Sequence, residues 1–182
     1  RIDDARVAIA KVLPEIATVR RIGLMVYGPV SLAGGKKACD RIGLRFGPRP
    51  DAAEPVAEAL GTLEPDGLTP LTASVRAAAE TLDFRRVPAI IVLVTDGIET
   101  CGGQPCALGR DLAEHGVQLT VHVVGFRMVG KTLAIKGASI SGDANADLQC
   151  LARETGGRYI ETETIQDLTF ALRETLGCAM IG

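Results

Sequence analysis

Apolar positions along this 182-residue chain recur with two different periods, and the switches between them mark out its elements. Ala5, Ile9, Val12, Ile16 and Val19 fall at helical spacing, which predicts an amphipathic helix over residues 2–19, bent at Pro14. Residues 22–27 form a short apolar run that reads as a buried strand. Beyond a turn containing Gly34, Gly35, Lys36 and Lys37, Ile42, Leu44 and Phe46 alternate with polar or small residues. That alternation predicts an edge strand antiparallel to its predecessor, with the two lysines at a solvated loop tip. Helices are expected over 51–63 and 73–82, the second opened by a Thr69 cap ahead of Pro70.

Six of the seven residues from Ala89 to Thr95 are apolar, so this strand should be covered on both faces. A helix over 105–115 stopped by Gly116, a strand over 117–126, a helix over 143–155 ended by Gly156 and Gly157, and a short strand over 159–161 follow. Thr164 and Asp167 then open a last helix as a capping box. Strands alternating with helices predict an α/β architecture, with a mostly parallel sheet between helical layers.

The length suits one domain over residues 1–182, and a hydrophobic fraction of 47% argues against disorder. A net charge of −2, six aromatic residues and no Trp speak against nucleic acid as a partner. No apolar run approaches the roughly 18 residues of a membrane span. Opening on Arg1 rather than Met, the chain is expected to be a processed or truncated product, with any leader or anchor upstream.

Five cysteines are many for this length. Cys101 and Cys106 flank Gly102 and Gly103, which let the backbone fold back far enough for a bridge between them. Such a disulfide would place the protein in an oxidising, extracytoplasmic compartment; two reduced, packed thiols in a cytoplasmic protein are the alternative. Cys39, Cys150 and Cys178 remain, Cys150 reading as core between Leu148 and Leu151. Two His residues and no CxxC pair offer little to zinc.

The strand ending Val94-Thr95-Asp96-Gly97, the Gly67-Leu68-Thr69-Pro70-Leu71 loop opening a helix, and Thr155-Gly156-Gly157-Arg158-Tyr159 leading to a last strand together resemble a von Willebrand factor A (vWA) domain. The order of elements agrees, and the run from Thr95 to Cys106 is similar to extracytoplasmic bacterial members of that family. The resemblance implies a three-layer, Rossmann-like α/β fold with one antiparallel edge strand. It also implies a metal-ion-dependent adhesion site at the carboxyl end of the sheet. By position, Thr69 and Asp96 match two of that site's three motifs. Mg²⁺, or Mn²⁺ or Ca²⁺ in its place, would take hydroxyl and carboxylate oxygens there, leaving one position for an acidic side chain of a partner protein. The third motif, Asp-x-Ser-x-Ser after the central strand, occurs nowhere in the chain. That strand and loop are expected ahead of Arg1, where the first helix should begin, unless another segment closes the sheet. With only Thr69 and Asp96, metal binding by the 182 residues is expected to be weak or absent. The oligomeric state is not legible.

Two rival readings follow from the residues. Gly125 to Thr132 satisfies G-x-x-x-x-G-K-[ST] after a strand, which would make Lys131 and Thr132 the phosphate and metal contacts of a nucleotide hydrolase. Phe126, Arg127 and Met128 crowd such a loop, and Gly137 interrupts the helix it requires. The other rival is an α/β scaffold with a degenerate metal site. Glu99 is expected to face solvent or the following helix's N-terminus, and His122 to pack on a sheet face. No nucleophile has a base beside it, so a binding rather than catalytic protein is expected.

Overall fold

A computed structural model describes residues 1–28, 38–64, 66–128 and 144–177. The order is α1 (Ile2–Ile16), β1 (Ile22–Tyr27), a 3₁₀ turn (Ala38–Asp40), β2 (Ile42–Arg49), α2 (Ala53–Gly61), α3 (Leu71–Thr81), β3 (Ala89–Thr95), α4 (Pro105–His115), β4 (Leu119–Phe126), α5 (Ala144–Glu154), β5 (Tyr159–Thr162) and α6 (Ile165–Leu176). Pro14 sits inside α1 without ending it. The expected capping box is present: the Thr164 hydroxyl accepts from the Asp167 N–H and the Asp167 carboxylate from the Thr164 N–H, both at 3.1 Å.

The architecture is α/β in three layers, with helices on both faces of parallel strands. β4 lies between β3 and β5, parallel to both, and Ile91 pairs with Val121 and Val124 with Ile160. Alternation along β3 divides the core. Ile91 and Leu93, with Val121 and Val123 of β4, meet Leu71 and Val75 of α3, Leu108 and Leu112 of α4, and Leu148 and Leu151 of α5. On the other face, Val92, Val94, Val124 and Phe126 meet Val12 and Ile16 of α1 and Leu168 and Leu172 of α6. The apolar run of β3 is explained by this double cover.

β1 pairs antiparallel with β2, as the alternation at Ile42, Leu44 and Phe46 predicts, with Met25 opposite Leu44. This pair forms a second sheet, not hydrogen-bonded to the first. Between β1 and β3 lies an apolar slot of about 790 Å³, roofed by Ile9 and Ile16 of α1 and floored by Val75 and Ala78 of α3. The break falls where the family resemblance puts the central strand, and among the described residues no other segment closes it.

Candidate functional site

Two loops meet at the carboxyl end of β3. The first leads into α3 and carries Thr69; the second follows Thr95 and carries Asp96. Glycine geometry brings the first loop against the end of β1. Gly28 and Gly67 both have positive φ (88° and 93°), and a Cβ on Gly67 would come 2.5 Å from the Gly28 carbonyl oxygen. Only two glycines allow that approach.

Thr69 is bound to the second loop at several points. Its N–H donates to the Thr100 hydroxyl at 2.8 Å, its carbonyl accepts from the Thr100 N–H at 3.2 Å, and its own hydroxyl donates to the Ile98 carbonyl and lies 2.9 Å from Thr100 Oγ1. A Cβ on Gly97, the residue after Asp96, would stand 3.6 Å from the Thr69 methyl. The Thr69 and Asp96 segments therefore share one rim of the sheet. The expected Thr69 helix cap is not formed: α3 starts at Leu71 with Pro70 as its cap residue and no side-chain cap bond. The hydroxyl turns to the neighbouring loop because Ile98 and Thr100 offer partners there.

Glu99 does the work expected of Thr69. One carboxylate oxygen accepts from the Thr72 N–H at 2.8 Å in the first turn of α3, and the other from the Cys101 N–H at 2.7 Å. It faces the preceding helix, not solvent or α4, because the loop folds back over α3. Local sequence gave no sign of this, nor of the part Thr100 takes. Asp96 is exposed, with Arg1 Nη1 at 3.2 Å, a solvated pair of small energetic weight. Behind it, the Tyr27 hydroxyl donates to the Val94 carbonyl at 3.1 Å. Burial pushes this phenol up to about 12, opposed by its hydrogen bond with Thr95 and reinforced by the charge of Asp96.

The expected Cys101–Cys106 bridge is not formed. Cys101 joins Cys39 with Cα atoms 5.6 Å apart, and Cys106 joins Cys150 at 5.0 Å. Cys106 lies in the first turn of α4, where it faces α5, while Cys101 remains in the loop facing the 3₁₀ turn. The first bridge ties the Asp96 loop to the β1–β2 hairpin, and the second staples α4 to α5. Cys150 is buried as expected, but as a cystine. Cys178 lies outside the described residues.

Among the described residues this rim is an incomplete metal site. Mg²⁺ prefers six oxygens; among the described residues the end of β3 offers the exposed carboxylate of Asp96 and the hydroxyls of Thr69 and Thr100, already engaged with each other. A second grouping, Cys106, Cys150 and Glu154, has its ligand atoms within 4.8 Å of one another. Both sulfurs there are spent in the disulfide, and Arg110 and Arg153 nitrogens lie 3.2 and 3.5 Å from them.

Of the phosphate-loop motif, Gly125 and Phe126 are still in β4, paired with Glu161 and Thr162 of β5. Gly130, Lys131 and Thr132 lie outside the described residues, as do Lys36 and Lys37. His122 is half-buried on the sheet, and its Nδ1 accepts from the Arg158 N–H at 3.0 Å. Burial first, and the nearby Arg158 cation second, lower its pKa. Among the described residues no helix is long and apolar enough to cross a membrane.

No family model matches the chain. It is similar to two Bacillus subtilis (strain 168) proteins, the uncharacterized YwmC and YwmD. Each is 26% identical to it, over 87% and 92% of this chain. The chain spans 65% of the length of YwmC and 71% of that of YwmD. Among solved structures it resembles an aerotolerance-related membrane protein from Bacteroides fragilis at a TM-score of 0.68 and 19% identity, covering 98% of this chain and 89% of that one. It also resembles proximal thread matrix protein 1 of the mussel byssus, in a form whose MIDAS motif is occupied by zinc. The TM-score is 0.60 at 14% identity, over 93% of this chain and 39% of that one. At these identities the likeness establishes the fold, and the fold is vWA-like.

Proposed function

We propose that the chain is a protein-interaction module of the vWA type, which recognises an acidic group on a partner protein at the carboxyl edge of its sheet. A divalent ion, Mg²⁺ first, would mediate that contact once its oxygen ligands are complete. Asp96 would supply the charged ligand and the Thr69 hydroxyl a neutral one, with waters and the partner's carboxylate among the remaining oxygens. The reading rests on the packing of the Thr69 loop against the residues following Asp96 at the end of β3. This module acts by binding and not by catalysis. Its two cystines fit an extracytoplasmic protein.

The test is thermal unfolding of the natural full-length protein titrated with Mg²⁺. At 100-fold excess over Kd the gain should approach ~2.7 kcal/mol and vanish in Asp96→Ala. An unchanged melting temperature in the unsubstituted protein would leave an α/β scaffold without a working ion site.

A further inference from the structure

The two cystines sit in different electrostatic settings. Cys106 is the second residue of α4, whose first turn has no side-chain cap on its free N–H groups and no acidic residue. A helical side chain leans back toward the start of its helix, which sets the Cys106 sulfur over those N–H groups. Arg110, one turn further on, places Nη2 3.2 Å from the same sulfur, at the surface. Both features favour a negative charge on Cys106 once the bridge is open. Cys150 is buried in α5. Arg153 Nη2 lies 3.5 Å and Glu154 Oε1 3.6 Å from its sulfur, and these two side chains pair with each other at 3.4 Å. When the bridge opens, Glu154 is therefore a ready acceptor for a Cys150 S–H. Cys39–Cys101 has no such surroundings. The Cys101 N–H donates to the Glu99 carboxylate at 2.7 Å, and among the described residues no cationic nitrogen hydrogen-bonds to either sulfur. Contact between α4 and α5 also does not depend on their bridge. A Cβ on Gly109 would stand 3.1 Å from Leu151 Cα, and Leu108 and Leu112 share an apolar cluster with Leu148 and Leu151. The bridge can open with the fold in place.

We propose that Cys106–Cys150 is a thiol–disulfide exchange site, opened by an external dithiol that attacks the Cys106 sulfur, while Cys39–Cys101 is a structural link. In the first step a thiolate of the dithiol bonds to Cys106 Sγ. The 106–150 bond breaks, and its electron pair leaves on Cys150 Sγ, which takes up a proton and donates it in a hydrogen bond to Glu154. In the second step the other thiol of the reductant loses its proton to solvent and attacks its own partner sulfur in the mixed disulfide. Cys106 then leaves as a thiolate beside Arg110 and the first turn of α4. The dithiol is oxidised by two electrons to a disulfide, and the cystine is reduced to one thiolate and one thiol. Cys106 is the attacked sulfur because it lies at the surface end of the bridge, whereas Cys150 is buried. The proposal concerns the contact between α4 and α5 and holds whether or not the rim binds an ion.

The experiment uses the oxidised 182-residue chain carrying Cys178→Ser, so that no fifth thiol reshuffles the bridges, in EDTA at pH 7. Dithiothreitol is added in small excess, and samples are quenched in acid, alkylated and mapped by mass. Cys106–Cys150 should open at least about tenfold faster than Cys39–Cys101. With glutathione as the reductant, the mixed disulfide should be found on Cys106. Circular dichroism should show undiminished helix content in the chain with this bridge open. In that chain, iodoacetamide labelling of Cys106 should be half-maximal at or below pH ~7.5, against ~8.5 for an unassisted thiol. Arg110→Gln should move that midpoint toward ~8.5 and slow opening about threefold, and Arg110→Lys should restore most of both. Opening of both bridges at one rate, or of Cys39–Cys101 first, overturns the proposal. So do glutathione on Cys150, loss of helix on opening, and a labelling profile unchanged in Arg110→Gln.

Discussion

Removing the Cys39–Cys101 bridge tests how the Asp96 loop is held. The two half-cystines are 62 residues apart in sequence, and the second bridge closes a separate span of 44. The loops follow one another without overlapping, so their effects on the unfolded chain should add. Loop-closure entropy for a span of 62 gives ~4 kcal/mol at 25 °C, and slightly less for 44. In Cys39→Ser/Cys101→Ser, urea unfolding should therefore lose ~4 kcal/mol, a midpoint shift of about 2 M if m is ~2 kcal/mol/M. Peptide mapping without reduction checks the pairing directly, since Cys101 should be recovered linked to Cys39 and Cys106 to Cys150. A midpoint shift below about 0.5 M would refute the entropic argument. Recovery of a Cys101–Cys106 peptide would refute the pairing itself. The double variant should also loosen the rim, because the bridge is the covalent link between the β1–β2 hairpin and the loop carrying Asp96. Faster hydrogen exchange at Thr100 and Cys101 would report that release.

Three further predictions concern the scaffold. A Cβ on Gly157 would overlap the Val121 carbonyl of β4, so Gly157→Ala should cost about 3 kcal/mol or more in denaturant unfolding. Gly156→Ala meets open space at φ 70° and should cost only ~1–2 kcal/mol. The folded pKa of His122 lies below its ordinary value of about 6.5, so the folded state resists protonation that the unfolded chain accepts. Stability should then fall as pH drops below about 6.5 and through the lowered folded value, and His122→Gln should remove that slope from urea midpoints. Tyr27 acts at the other end of the scale. Its phenol holds its proton up to about 12 when folded and to about 10 when unfolded, so the folded state binds more protons between these values. Stability should fall by at most about 3 kcal/mol across that window, and Tyr27→Phe should flatten the loss in midpoints measured at alkaline pH.

Much of the fold is legible in the chain because each element declares itself locally. The apolar run at 89–95, the helical spacing in α1 and the Thr164–Asp167 box depend on periods and caps within a few residues, and α1 runs through Pro14 without ending. The carboxylate at the end of β3 is equally legible, since a strand that stops at Thr95 must present Asp96 at its carboxyl end. The partners of these residues are another matter. Cys101 and Cys106 are near neighbours in sequence, yet each is bridged across the fold, because the start of α4 turns one sulfur toward α5 and leaves the other facing the 3₁₀ turn. Glu99 takes the contact with α3 expected of Thr69, and the Thr69 hydroxyl turns to the Ile98 carbonyl, for the same reason: which backbone groups lie in reach depends on how two loops from distant segments meet. The gap between β1 and β3 falls where the family resemblance expects the central strand, though no local period marks it. Sequence periodicity determines that strands exist, but hydrogen bonding between strands is a relation across space, and only the tertiary arrangement decides which edges are joined and which stay open.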